Sequence, residues 1–337
     1  MERLYLNGAS GLKLAADVAG DPDDQPVVLL HGGGQTRHSW GELTRTLAGN
    51  GYRAINVDMR GHGESEWCPE GDYTIDRFVD DVHGILADLS QPPVLVGASL
   101  GGISSLLAAG ESPELDVRGL VLVDIVPQAE KAGIQRIRDF MLAHLDGFDS
   151  IDEVIAAVSA YNPHRKPSSG SGEGLRKNLR VGEDNRLYWH WDPAFMGGDR
   201  TPGASKNVER LRTAARQVHA PTLLVRGKMS DVVSEEGVKD FLELMPNGRA
   251  MDVGGAGHMV SGDQNDAFND ARVPGGAGAE CHPRLTGYGA RVEGESRSPL
   301  FCVCQVFGRQ EMPCTVAASS WASSDRLKAS RCWIRRQ

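Results

Sequence analysis

Val94-Leu95-Val96-Gly97-Ala98-Ser99-Leu100-Gly101-Gly102 decides the reading of this chain: an apolar β-type run passes through G-x-S-x-G directly into a helical pattern. A serine raised on a sharp strand-to-helix turn exposes its hydroxyl. Glycines two residues to either side permit the close approach of strand and helix that such a turn imposes. The stretch reads as a nucleophile elbow with Ser99 as the candidate nucleophile. Because Ser99 stands at the helix start, the Leu100 N–H has no acceptor within the helix and points toward the same space, where it can hold an oxyanion.

Outward from the elbow, short β-rich runs alternate with helical patterns. Leu4 to Leu6 and Leu12 to Val18 read as an opening hairpin; Val27 to Leu30, Ala54 to Val57, Val94 to Val96, Leu120 to Val123, Thr222 to Val225 and Ala250 to Val253 read as buried strands. Helical period marks Trp40 to Leu47, Ile75 to Leu89, Leu100 to Ala109 and Glu235 to Leu244. The order predicts an α/β fold, doubly wound, with a mainly parallel eight-stranded sheet. The interval from Val126 to Thr222 is too long for one crossover. It holds helical stretches (Ile134 to Leu145, Ile151 to Ala160, Val208 to Val218), a Ser/Gly-rich loop from Pro167 to Gly174 and the run Tyr188-Trp189-His190-Trp191. Residues 127–218 are therefore expected to form an inserted helical lid on a core of residues 1–126 and 219–271. Phe140, Tyr161, Trp189, Trp191 and Phe195 are candidates for the pocket wall or for packing within the lid.

A serine hydroxyl needs a base to take its proton, and the base needs a carboxylate to fix its tautomer. With the order nucleophile, acid, histidine, the chain supplies Ser99, then Asp231 just beyond the Thr222 to Val225 run, then His258 in Gly254-Gly255-Ala256-Gly257-His258. All three are placed at carboxyl ends of strands, where open α/β sheets gather their sites. Asp124 rivals Asp231, since it follows Leu120-Val121-Leu122-Val123; Asp231 is preferred because it stands after the next strand, the usual position, which leaves Asp124 structural. Asp58 is expected to brace a turn through backbone hydrogen bonds. The second oxyanion donor is expected from His31-Gly32-Gly33-Gly34-Gln35, with Gly33 first and Gly34 second, because glycine amides can turn toward a substrate oxygen with no Cβ in the way. The run lacks the Lys-Ser/Thr ending of a phosphate-binding P-loop.

His31-Gly32-Gly33-Gly34, Asp58-Met59-Arg60-Gly61-His62-Gly63-Glu64-Ser65, Gly97-Ala98-Ser99-Leu100-Gly101, Asp231 and His258 resemble the α/β-hydrolase superfamily, over residues 1 to about 271. Within it the chain is similar to bacterial serine esterases and cofactor-free perhydrolases. The resemblance implies a Ser-Asp-His triad, an acyl-enzyme intermediate and a helical lid over the pocket. Ser99 argues against dehalogenases and epoxide hydrolases, which carry Asp at the elbow. The resulting expectation is a serine carboxylic-ester hydrolase for small acyl esters, using no cofactor and no metal. The same machinery would serve a lactonase, a carbon–carbon bond hydrolase or a perhydrolase. A non-catalytic hydrolase-like receptor is the alternative from another class; retention of three triad members argues against it.

Charge divides the chain at Ala271. Residues 272–337 contain ten Lys or Arg against five Asp or Glu, whereas residues 1–271 contain 26 against 40. An acidic body argues against a nucleic-acid partner, and apolar runs far short of the roughly 20 residues of a membrane helix argue against a membrane span. With no basic region and apolar run at the N-terminus, the chain reads as cytoplasmic, with a small-molecule ester as its partner. Five of six cysteines lie in the tail, but Cys302-Val303-Cys304, Cys314 and Cys332 lack paired C-x₂-C spacing. Gln264 to Ala271 reads as the start of a closing helix that Pro274-Gly275-Gly276 interrupts. The atypical basic, Cys-rich tail of residues 272–337 is expected to be disordered or to be out-of-frame sequence after a shift near codon 271.

Overall fold

The computed structural model describes residues 1–162, 172–197, 205–254 and 256–258 of the 337-residue chain. The tail from residue 272, the closing helix expected at residues 264–271 and residues 167–171 of the Ser/Gly-rich loop lie outside the described residues.

Eight strands form one sheet: β1 (Glu2–Asn7), β2 (Lys13–Ala19), β3 (Gln25–Leu30), β4 (Tyr52–Val57), β5 (Val94–Ala98), β6 (Gly119–Val123), then β9 (Thr222–Gly227) and β10 (Gly248–Val253), with a separate hairpin of β7 (Leu179–Val181) and β8 (Leu187–Trp189) between them in the chain. The spatial order β1-β2-β4-β3-β5-β6-β9-β10 is antiparallel only at the β1–β2 and β2–β4 pairings. This is the mainly parallel eight-stranded sheet expected from the sequence. β7 and β8 were not legible as strands, because three residues each are too few to show a period.

The central strands are continuous apolar runs because both of their faces are covered. In β3, Val27 and Leu29 join one cluster with Trp40, Leu43 and Leu47; Val28 and Leu30 join the other, with Phe78, Val82, Leu106 and Leu107. The first cluster belongs to α1 (Gly41–Gly49). The second collects buried residues of α2 (Ile75–Ala87), α3 (Leu100–Glu111), α7 (Ser205–Gln217) and α8 (Glu235–Leu244). Fully burying one such Val, Leu or Phe side chain is worth about 1.5–3 kcal/mol, so both sheet faces are committed to helices.

Between β6 and β9 lie α4 (Lys131–Leu142), α5 (Ile151–Tyr161), the single turn α6 (Glu173–Arg176) and the β7–β8 hairpin, followed by α7. Ser150 caps α5 by accepting the Glu153 amide, with Asp152 and Glu153 in the first turn where the helix dipole favours anions. Phe140, Tyr161, Phe148 and Trp189 pack ring on ring inside this segment, with centroid distances of 4.8 to 6.2 Å. The last helix of the interval, α7, packs on α3 instead, with Ala214, Ala215 and Leu211 buried.

The chain turns back at β3 and β5: β4 lies on one side of β3 and β5 on the other. Such a switch point opens a crevice at the strand carboxyl ends. The Leu30–Gly97 register sets the loop after β3 beside the elbow after β5.

Candidate active site

Ser99 sits between β5 and α3 with φ 44° and ψ −110°, a left-handed conformation that costs a non-glycine residue roughly 1–3 kcal/mol. The surroundings hold it there. Its amide donates to Val123 O at 3.2 Å, its carbonyl accepts the Ile103 amide at 2.8 Å, and the Gly101 amide donates to His31 O at 3.2 Å. The flanking glycines are a packing requirement: a Cβ on Gly97 would lie 2.4 Å from Gly101 backbone atoms, and one on Gly101 would lie 2.5 Å from Leu30 O. Strand, helix and the β3 loop therefore meet backbone to backbone, and Ser99 stays half exposed above them.

The carboxylate that meets His258 is Asp124, not Asp231. His258 Nδ1 lies 2.7 Å from Asp124 Oδ2, and both side chains are buried. An ionised carboxylate only accepts, so Nδ1 carries the proton and Nε2 keeps its lone pair for another group. Asp124 follows β6 directly with φ 51°, its amide bonded to Val225 O at 2.8 Å. Asp231, the expected acid, instead pairs with Arg136 Nε at 3.1 Å in the loop after β9. The reason lies in the sheet order. β6, β9 and β10 are adjacent, so the ends of both β6 and β9 lie within reach of the histidine loop, and sequence spacing cannot say which carboxylate turns inward.

In the glycine loop after β3, the structure separates the two candidate donors. The Gly34 amide is taken by His62 Nε2 at 3.0 Å and the Gly32 amide by Gln35 Oε1 at 2.9 Å, while the Gly33 amide has no hydrogen-bond acceptor among the described residues. Leu100, the first residue of α3, has no acceptor within the helix. Two buried histidines hold the loop. His31 Nδ1 donates to Gly32 O at 2.8 Å while its Nε2 accepts the Met59 amide at 3.0 Å; His62 Nδ1 donates to Arg60 O at 2.9 Å while its Nε2 accepts from Gly34. Amide donors at Nε2 and carbonyl acceptors at Nδ1 fix both tautomers. Burial pushes His31 down to about 4, against a partial opposing effect of its bond to Gly32. Asp58 braces the turn as expected, accepting the Arg37 amide at 2.6 Å, the Glu64 amide at 2.9 Å and the buried Arg37 guanidinium.

The role of His62 was missed in the sequence, where it reads as one histidine in a turn. Its signal was the parallel pairing of β3 with β4, which places Asp58-Met59-Arg60-Gly61-His62 beside the glycine loop. The same turn anchors the inserted segment: the Gly63 amide donates to His190 O at 2.7 Å, the Asp192 amide to Gly61 O at 2.8 Å, and Tyr73 bonds the Asp192 carboxylate. Beyond that strap, Phe195 packs edge-on against His62 and faces Gly33.

Ser99, His258, Asp124, Gly33 and Leu100 all border one cavity of about 320 Å³. Its floor is the α3 stripe Leu100, Ile103 and Leu107, and α4 contributes Ile134, Ile137 and Met141, so the wall is mainly apolar. Of the five aromatic candidates only Phe195 reaches it. Among the described residues no group of three or more His, Cys, Asp or Glu side chains converges as a metal site requires, and no helix is long and apolar enough to cross a membrane.

The alpha/beta hydrolase family matches residues 27–271. Esterase Rv0045c of Mycobacterium tuberculosis is 31% identical over 249 residues, covering 72% of this chain and 79% of that protein. The 2-(acetamidomethylene)succinate hydrolase of Mesorhizobium japonicum is 31% identical over 215 residues, covering 62% and 73%. An alpha/beta hydrolase from Novosphingobium aromaticivorans, at 22% identity, shares the fold with a TM-score of 0.65 over 79% of this chain and 94% of its own.

Proposed function

We propose that this chain, which belongs to the alpha/beta hydrolase family and is a hydrolase, is a serine carboxylic-ester hydrolase acting on small acyl esters, with Ser99, His258 and Asp124 as its triad. The observation that carries this reading is the His258–Asp124 bond at 2.7 Å bordering the same cavity as a strained, half-exposed Ser99. His258 Nε2 takes the Ser99 proton as Oγ bonds to the ester carbonyl carbon. The carbonyl oxygen becomes an oxyanion held by the Gly33 and Leu100 amides, and the imidazolium then protonates the departing alcohol. Water, deprotonated by His258, attacks the acyl-enzyme and releases acid and Ser99. Asp124 holds Nδ1–H throughout and stabilises the imidazolium. The segment between β6 and α7 serves as the lid, and the mainly apolar cavity favours an apolar acyl group.

The mycobacterial relative is an esterase, which agrees with the ester reading, whereas the Mesorhizobium relative hydrolyses 2-(acetamidomethylene)succinate. The experiment is a fluorophosphonate probe with peptide mapping, run beside a panel of p-nitrophenyl esters, lactones, dienoates and 2-(acetamidomethylene)succinate. Labelling confined to Ser99 with turnover highest on the esters is the expected result. No labelling, or turnover on another class alone, rejects the ester reading.

A further inference from the structure

The loop after β9 does send a side chain to the site, one residue before Asp231. Ser230 Oγ lies 2.7 Å from Asp124 Oδ2, the same oxygen that receives His258 Nδ1. The direction of this bond is set by the other partners of Ser230. The amides of Val232, at 3.2 Å, and Val233, at 3.1 Å, both donate to Oγ, which occupies its acceptor capacity and sends its single proton to Asp124. Oδ1 of the same carboxylate accepts the Gly227 amide at 3.1 Å. The Asp124 carboxylate thus receives three hydrogen bonds, two of them from the β9 end and one from the histidine loop.

We propose that Ser230 is a positioning residue for the triad acid: it locks the Asp124 carboxylate in the plane that meets His258 Nδ1 and withholds part of the Oδ2 charge from the imidazole. The proposal rests on the Ser99–His258–Asp124 reading. Without Ser230, Oδ2 has His258 as its one remaining side-chain partner, and a carboxylate stripped of a donor concentrates its charge on the next one. That stabilises the imidazolium over the imidazole. His258 must be neutral to accept the Ser99 proton, so the acid limb of the rate profile moves to higher pH when Ser230 is removed. Among the described residues, the charged groups on neighbouring elements include Lys228 and Asp231 of the same loop, Asp231 paired with Arg136, and Arg138 and Arg210 in the cavity wall. All are unchanged in the variants below.

The test uses the full chain. Ser230→Ala is expected to lower kcat about 10-fold, leave KM within about 2-fold, and raise the midpoint of the acid limb of kcat/KM by about 0.5 pH unit. The His258 ring titration followed by NMR should move upward by the same amount. Ser230→Thr, which keeps the hydroxyl, should restore the wild-type midpoint. A midpoint that is unchanged or lower in Ser230→Ala overturns the proposal, as does a rise in KM with kcat intact. If circular dichroism shows that Ser230→Ala does not fold, Ser230→Cys, of similar size and a weak donor, carries the same test with the same sign. The NMR titration needs no turnover, so it decides the role of Ser230 even if the wild-type chain hydrolyses no ester and the functional reading itself fails.

Discussion

Asp124 Oδ2 and His258 Nδ1 are 2.7 Å apart although 134 residues separate them in the chain. The bond closes across three neighbouring strands, from the end of β6 to the loop beyond β10. It leaves His258 Nε2 as the lone-pair nitrogen at a cavity that Ser99 also borders, and the proposed triad rests on that arrangement.

In the proposed triad nucleophile and base act as one unit, so Ser99→Ala and His258→Ala should each lower kcat by about 10⁴-fold or more, and the double variant should be little worse than either single one. Steady-state kinetics on a p-nitrophenyl ester, with circular dichroism to confirm folding, checks this. Additive losses would show that the two side chains do not work together.

His62 should matter through kcat. His62→Phe removes the acceptor for the Gly34 amide, so the glycine loop loses its anchor and Gly33 its aim. A loss of roughly 10–100-fold in kcat with KM little changed is expected, because the oxyanion interaction grows in the transition state. A raised KM with kcat unchanged would place His62 in substrate binding instead.

Stability should fall on mild acidification because of His31. Its folded-state value near 4 lies below the ordinary histidine value of 6.5, so the unfolded chain takes up a proton that the native chain refuses. The contribution is complete above the unfolded value and is lost as pH falls from 6.5 toward 4, by roughly 3 kcal/mol in all. Urea midpoints at several pH values should show this slope, and His31→Gln should flatten it. Equal slopes in the two proteins would contradict the assignment.

The compositional break at Ala271 coincides with the end of the family match. A chain ending at Gly275 should therefore keep activity within about 3-fold, since Ser99, Asp124, His258, Gly33 and Leu100 all precede the break. Loss of folding on truncation would show that residues 276–337 contribute to the core. Sequencing the coding region tests the frame-shift reading separately: another frame after codon 271 should encode an amphipathic helix of roughly ten residues.

The sheet was legible because its central strands are buried on both faces and read as uninterrupted Val and Leu runs. The strand-to-helix turn at Ser99 and the glycine loop were legible because their geometry is local, within Gly97 to Gly101 and His31 to Gln35. The acid was not. Asp124 and Asp231 each follow a strand bordering the histidine strand or its neighbour, and the choice depends on backbone direction at one residue: φ 51° at Asp124 turns its carboxylate toward His258. The three-residue strands β7 and β8 were hidden for a different reason, since their pairing depends on contacts with each other and not on a pattern along the chain.

Asp124→Asn and Asp231→Asn, each purified as the full chain and assayed on the same p-nitrophenyl ester, separate the two carboxylates. Asparagine keeps the shape at position 124 but withdraws the charge that fixes His258 Nδ1–H, so kcat should fall about 10³–10⁴-fold. At position 231 the same change removes only a partly exposed pair with Arg136, and kcat should stay within about 2-fold. An inactive Asp231→Asn beside an active Asp124→Asn would instead place the triad acid at Asp231.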